Sequence, residues 1–310
     1  MTAMILSASR RTDIPAFYAE WFMQRIKEGH ALVPNPYNAH RLSRVALSPQ
    51  LVDCIVFWTK NPGPMLPHLK KLEELGYKFV IQFSLTPYDS SIEYRVPPTE
   101  EMLQLFISLA KKLGSQRLVW RYDPVLINQN FTVRRHHDCF AKMCERLHPH
   151  AQRCIISFID ACKSSEKLFR PLSPQEQLAL ATGFTDIARS YGLGLFTCAE
   201  EVELERYGIR HGACIDKEHL EQLVGGPLNI RPDPHQRKAC LCAEAVDLGV
   251  YDSCAHGCAY CYAVSNRQTA QRRLQLHDPC APMLTGYPAG IEVISERTAK
   301  SHKSKQLSLL

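Results

Sequence analysis

The 310-residue chain contains no run of about 18 uninterrupted apolar residues, so it offers no candidate for a membrane-spanning helix. The opening stretch Met1-Thr-Ala-Met-Ile-Leu-Ser7 lacks the basic n-region and long apolar h-region of a secretory signal. The expectation is a soluble, cytoplasmic protein with no membrane partner. A Gly-rich phosphate loop, a Gly-x-Ser-x-Gly elbow and a dinucleotide fingerprint are all missing, which removes the commonest nucleotide-binding and serine-hydrolase readings. His-Glu-x-x-His is absent too. The histidines of His136-His137-Asp138 and His148-Pro-His150 surround a predicted helix rather than strand ends, which disfavours metal-dependent hydrolysis. A net charge of +6 permits nucleic-acid binding without arguing for it, and the dense basic and aromatic pattern of single-strand binders is lacking. Nucleic acid is therefore not favoured as a partner.

What the chain does have is cysteine, 13 in all. Most sit singly in apolar runs, as Cys54, Cys154 and Cys198 do, where they read as small hydrophobes in a reducing compartment. With 45% hydrophobic residues the chain can bury a large core. Six short strands are predicted at Met4–Ala8, Val52–Trp58, Phe79–Leu85, Arg117–Arg121, Arg153–Phe158 and Leu193–Cys198. Helical periodicity fills the gaps at Phe17–Glu28, Met65–Leu75, Glu100–Leu113, His137–Leu147 and Gln175–Tyr191. Gly76, Gly114 and Gly192 mark helix ends, and Ser173-Pro174 with Glu176 marks a start. Regular βα alternation without hairpin signals predicts an α/β fold with a parallel sheet. Cys214-Ile215 and Val246–Val250 could add strands, and an open doubly wound sheet is the alternative. The expected division is a βα partial barrel over residues 1–230, a cysteine-rich cluster-binding segment packed on it over 231–294, and a basic, flexible tail over 295–310.

The most specific signal is Cys254-x3-Cys258-x2-Cys261, inside Ser253-Cys-Ala-His-Gly-Cys-Ala-Tyr-Cys-Tyr-Ala263. Three thiolates on one tight loop can hold three irons of a cubane cluster and leave the fourth open to a small molecule. A structural zinc site would normally want four ligands as two separated pairs. His256 lies inside the triplet, where a hydrogen bond to sulfur suits it better than ligation. A second pair, Cys240-Leu-Cys242, is a candidate auxiliary metal or cluster site, joined by Cys214 or Cys280, although zinc prefers two to four intervening residues. Alternatively Cys240 or Cys242 could close the first cluster as a fourth ligand.

Ligands of parallel sheets bind at the carboxyl ends of the strands. The residues predicted there include Arg10, Arg11 and Asp13, then Thr59, Lys60 and Asn61, then Thr86 and Asp89, then Tyr122 and Asp123, then Asp160, then Glu200 and Glu201. Arg121 stands at the end of the fourth strand. Basic groups at the first two strands and carboxylates at the last three could bind opposite ends of a polar ligand.

With Tyr260 just before its last cysteine, the triplet resembles the cluster motif of radical SAM enzymes. The chain from Ser7-Ala-Ser-Arg-Arg-Thr-Asp-Ile-Pro15 through Trp58-Thr-Lys-Asn-Pro62 and Trp120-Arg-Tyr-Asp-Pro124 to Tyr260-Cys-Tyr-Ala263 is similar to an uncharacterised bacterial family, domain-of-unknown-function family 1848. Thr59-Lys60-Asn61-Pro62 and Ser84-Leu-Thr-Pro87 are similar to runs in the branch that contains spore photoproduct lyase, where they follow the cluster motif. Here they precede it by about two hundred residues, so the resemblance implies a cluster segment moved from the front of the barrel to its back. Asp247-Leu-Gly-Val250 would then lead into the loop beside the first strand.

The resemblance implies a partial (β/α)6 TIM-like barrel, a 4Fe-4S cluster on Cys254, Cys258 and Cys261, and S-adenosylmethionine split reductively at the open iron to start radical chemistry on an unknown substrate. It further implies Tyr260 as a neighbour of the cofactor's adenine and an electron donor such as flavodoxin or ferredoxin, while position at the strand ends marks Arg10, Arg11, Thr59, Asn61 and Glu200 as candidate cofactor-binding residues and Lys60, Arg121 and Asp123 as candidate catalytic ones. The glycine pair followed by glutamate that usually holds the methionine amine is missing after the second strand. A non-catalytic electron-transfer or redox-sensing protein, and a nucleic-acid-processing protein with a structural cluster, stand as alternatives.

Overall fold

A strand reading Cys-Ile-Val-Phe-Trp-Thr, with no polar alternation, is stable only when both its faces are covered. The computed structural model, which describes residues 4–160 and 168–297, meets that demand with a parallel sheet of eight strands. In chain order the strands are β1 (Ile5–Ser7), β2 (His30–Asn35), β3 (Asn38–Ala46), β4 (Cys54–Thr59), β5 (Phe79–Ser84), β6 (Leu118–Val125), β7 (Arg153–Phe158), β8 (Gly194–Cys198), β9 (Arg210–Gly212), β10 (Val246–Asp247) and β11 (Val293–Glu296). The helices are α1 (Ile14–Phe17), α2 (Ala19–Glu28), α3 (Leu66–Glu74), α4 (Thr99–Leu113), α5 (Val133–Leu147), α6 (Pro174–Ser190), α7 (Lys217–Val224) and α8 (Arg267–Gln275).

The large sheet runs β10-β1-β4-β5-β6-β7-β8-β9, with every pair parallel. The α/β class and the six predicted strands are present. The sheet has eight strands rather than six, and its edges β9 and β10 do not pair with each other, so it is not a closed barrel. Of the two further strands suggested by the sequence, Val246–Asp247 forms, whereas the other edge strand is Arg210–Gly212, just before Cys214.

The expectation of no hairpin is corrected by β2 and β3, which pair antiparallel and carry β11 on their outer side. Their turn is built by Asn35, whose Oδ1 accepts from the backbone N–H groups of Tyr37 and Asn38 at 2.9 and 3.2 Å. Ser295 and Glu296, at the start of the predicted tail, lie on β11, and residues 298–310 lie outside the described part. No helix among the described residues is long and apolar enough to cross a membrane.

Helix ends follow their local signals. Ser173 and Glu176 form a reciprocal capping box at the start of α6, and the chain leaves α4 at Gly114. The core divides by sheet face. On one face Phe57, Phe79, Ile81, Phe83, Trp120, Tyr122 and Ile156 pack against the helices. There Phe140 of α5 stacks on Trp120 with ring centres 5.1 Å apart and meets Phe184 of α6 at 4.5 Å. Each such fully buried aromatic contributes roughly 2–3 kcal/mol. On the other face the smaller Ile5, Cys54, Val56, Val80, Val119 and Ile155 are covered by α7 residue Leu220 and by Leu228, Ile230 and Ala243.

Within the aromatic layer His136 is fully buried, its Nε2–H donating to the Leu126 carbonyl at 2.7 Å and its Nδ1 accepting from the Tyr122 hydroxyl at 2.8 Å. Burial lowers its pKa from 6.5 to about 4, against the opposing pull of the Leu126 carbonyl. As pH falls, the unfolded chain therefore takes up this proton before the folded one does. The stability held above pH 6.5 is lost towards pH 4, by about 3 kcal/mol for the full shift. Thermal melts across this window should show a steeper fall for the native chain than for His136→Gln; equal slopes would contradict the assignment.

Candidate functional site

The loop that carries the cysteine triplet leaves β10, and β10 lies parallel beside β1 with Leu6 opposite Val246 and Ser7 opposite Asp247. The last strand of the sheet in sequence thus docks beside the first. Residues after β1 fasten the loop. Arg11 Nε donates to Asp247 Oδ2 at 3.0 Å, Thr12 Oγ1 donates to the Val250 carbonyl at 2.7 Å, and the Tyr18 hydroxyl donates to the Ser253 carbonyl at 2.7 Å. Gly249 comes so close to Arg11 that an added Cβ would stand 3.0 Å from its backbone nitrogen. Gly257, at φ +69°, turns the chain between His256 and Cys258.

Asp13 joins three segments through one carboxylate. Its Oδ1 accepts from Ala16 N at 3.0 Å and caps α1, while its Oδ2 accepts from Lys60 N and from His256 Nε2, both at 2.8 Å. His256 is therefore bonded to a carboxylate at Nε2, and its Nδ1 is buried without a hydrogen-bond partner. The side chain is thus fastened to Asp13, and it is the His256 backbone that hydrogen-bonds to the Cys254 sulfur.

A second buried node lies beside Cys258. Glu93 Oε1 accepts from Lys60 Nζ at 2.8 Å, from Thr86 Oγ1 at 2.7 Å and from the Tyr260 hydroxyl, and Glu93 itself bridges to Cys258 across the backbone. The Lys60 ammonium also lies 5.6 Å from the Tyr260 ring centre. Burial would lower the Lys60 pKa, but Glu93 and Cys258 outweigh it and raise it, so this lysine is a fixed cation. Burial lifts the Cys254 thiol to about 12, with Asp13 and Cys261 adding to the effect. Burial likewise lifts Cys258, with Glu93 adding and Lys60 opposing. Iron bound there would have to displace thiol protons, and Lys60 stands ready to offset the thiolate charge. Glu93 carries no sequence signal; it sits in the long connection after β5 and is identified only by what it touches.

The other predicted residues mostly fasten the structure. Arg10 lies 5.5 Å from the Trp58 ring centre and 3.6 Å from Asp233. Thr59 Oγ1 accepts from Asn61 N at 3.0 Å, and Asn61 Oδ1 accepts from Gly63 N at 3.0 Å, so both shape the turn after β4. Arg121 divides its guanidinium between an ion pair with Asp123 and a hydrogen bond to Cys214 Sγ at 2.6 Å. Glu200 accepts from Ser157 Oγ at 2.8 Å and Phe158 N at 2.9 Å. Its pKa is raised to about 7, by burial first and by Asp160 and Asp123 as well, against those hydrogen bonds.

A separate group of sulfurs lies at the carboxyl ends of β8 and β9. The Sγ atoms of Cys198, Cys240 and Cys242 lie within 4.8 Å of one another, and such a triad can hold a metal ion. Cys240 and Cys242, predicted as an auxiliary pair, thus meet Cys198, which its apolar run had disguised as a small hydrophobe, while Cys214 lies 2.7 Å from Cys198 through sulfur. Cys280 stands apart, exposed, with its carbonyl accepting from Arg25. A cavity of about 50 Å3 adjoins Cys254, with Tyr94, Gly257 and the exposed Arg267 on its rim. It has room for a water or two, not for a nucleoside.

A parallel α/β protein with two cysteine groups at the carboxyl ends of its strands is what this geometry defines. The chain belongs to the family described as a domain of unknown function, DUF1848, whose model matches residues 5–263. No curated protein matches it. Among solved structures it is similar to a Bacteroides thetaiotaomicron protein described as a candidate alpha-L-fucosidase, at 12% identity and a TM-score of 0.25 over 74% of this chain and 85% of that one. It is also similar to a triazine hydrolase variant, at 11% identity and a TM-score of 0.32 over 73% of this chain and 58% of that one. Scores this low carry no argument about fold or activity.

Removing Lys60 strands the Glu93 carboxylate in a site where its side chain is only 4% exposed. Lys60→Met should therefore cost roughly 3–5 kcal/mol in urea unfolding, and Lys60→Met with Glu93→Gln markedly less. Equal losses in the two variants would show that the pair is not coupled.

Proposed function

We propose that the chain is an iron–sulfur protein of radical SAM-like activity, with a 4Fe-4S cluster on Cys254, Cys258 and Cys261 and an unknown substrate. The observation that carries the reading is the docking of β10 beside β1, which sets the triplet loop over the strand ends that carry Asp13, Lys60 and Glu93. The donor set fits a cluster. Three thiols share the eight-residue segment 254–261, which is not held by a regular element, and no group of three sulfurs within 4.8 Å, as a single ion would draw together, is formed by the triplet.

When bound, a cubane with one open iron supplies one-electron reduction of S-adenosylmethionine, driven by a donor of the flavodoxin or ferredoxin kind. The protein's own part is to hold charge and exclude water. Lys60, held by Glu93 and Tyr260, sets a cation beside Cys258 that offsets added negative charge on the sulfurs. Asp13 and His256 fix the loop between Cys254 and Cys258. Tyr94 and Arg267, both exposed, rim the small cavity by Cys254.

In this reading residues 1–230 and 231–294 act as barrel-like body and cluster-binding segment, in a reducing, cytoplasmic setting. The rival in which Cys240 or Cys242 closes the cluster is disfavoured, because those two thiols are engaged with Cys198 instead.

Anaerobic reconstitution with iron and sulfide, then dithionite and S-adenosylmethionine, tests the assignment. The native chain should bind about four irons and sulfides and release methionine. A variant with all three triplet cysteines changed to alanine should lose both properties. Full iron loading in that variant would refute the site.

A further inference from the structure

We infer that Cys198, Cys214, Cys240 and Cys242 form a closed four-thiolate site for one structural zinc ion, independent of the triplet. Spacing argues first. A tetrahedral zinc with bonds of about 2.3 Å sets its sulfurs about 3.8 Å apart, whereas a cubane spreads its thiolates over separate irons. Cys198, Cys240 and Cys242 lie within 4.8 Å of one another; Cys214 stands outside that trio but touches it, 2.7 Å from Cys198 Sγ and hydrogen-bonded to Cys242, so the ion would draw Cys214 away from Cys198 to tetrahedral spacing. Apolar packing alone gives no reason for four sulfurs to converge.

The short spacing of Cys240-Leu-Cys242, which had argued against zinc, is resolved by the backbone. Cys240 is half-buried and Cys242 buried, while Leu241 between them is 53% exposed, so the two thiols meet on the inner side of the segment, where the Cys242 backbone also hydrogen-bonds to the Cys240 sulfur. The ligand positions are held by bonds that need no metal. Gln82 Nε2 donates to the Cys214 carbonyl at 2.8 Å, Ala243 N donates to the Ile215 carbonyl at 2.9 Å, and His211 Nε2 bonds to the Ala239 carbonyl at 2.8 Å.

Charge completes the case. Zinc with four thiolates carries two net negative charges, and the buried Arg121 directs Nη1 at Cys214 Sγ from 2.6 Å. The thiol protons displaced by the ion pass to solvent. The four ligands come from the end of β8, the turn after β9 and the segment that leads to β10 at the opposite edge of the sheet. One ion there braces the open sheet, with no free position for a reactant.

The test is X-ray absorption at the zinc edge, together with metal analysis, on the full native chain and on the triplet alanine variant. The native chain should hold one zinc with four sulfur neighbours at about 2.3 Å. The triplet variant should keep it, and Cys242→Ser should weaken its retention against a chelator at least tenfold. Iron in this site, nitrogen or oxygen among the neighbours, or no zinc in the native chain would overturn the inference. Loss of zinc from a folded triplet variant would overturn its independence. Should a variant fail to fold, the native spectrum decides alone.

Discussion

The short parallel contact between β1 and β10 is the constraint on which the site depends. Two residues of each strand are in register, and this alone would be weak. It is held by the Arg11–Asp247 ion pair, by Thr12 on Val250, and by the close approach of Gly249, where an added Cβ would crowd Arg11 at 3.0 Å. Through that contact a segment some 240 residues away is brought against the loop after the first strand. It brings the triplet beside Asp13, Lys60 and Glu93, which are already joined to one another from the first half of the chain.

Around the triplet the fold pairs each buried charge. Asp13 is shared by a helix cap, the Lys60 backbone and His256, and Glu93 is shared by Lys60, Thr86 and Tyr260. Such sharing offsets the cost of burying two carboxylates beside sulfur. It also accounts for why many polar residues at strand ends have structural partners rather than open valences. Arg10, Arg11, Thr59 and Asn61 all fasten loops. A ligand in this region would be met first by the groups around Cys254 and Cys258.

Much of the main sheet was legible because buried parallel strands are written as short apolar runs between glycine-ended helices. β4 and β5 are of this kind, and α6 announced its start through Ser173 and Glu176. The β2–β3 hairpin was not legible, since its strands contain Pro34, two histidines and four arginine or asparagine positions in place of clean alternation. The triplet was readable from spacing alone. Cys198 was hidden because a thiol at the end of an apolar strand looks like any small core residue, and only the return of Cys240 and Cys242 to its side gives it meaning. Glu93 was hidden for a similar reason, as two of its partners, Lys60 and Tyr260, come from distant segments.

Electron paramagnetic resonance of the dithionite-reduced, reconstituted protein, recorded with and without S-adenosylmethionine, addresses the central claim most directly. A cluster with one iron free of protein ligands should change its spectrum when the amine and carboxylate of the cofactor bind. A spectrum that stays the same on addition of saturating cofactor would contradict the account and make the cluster an electron carrier.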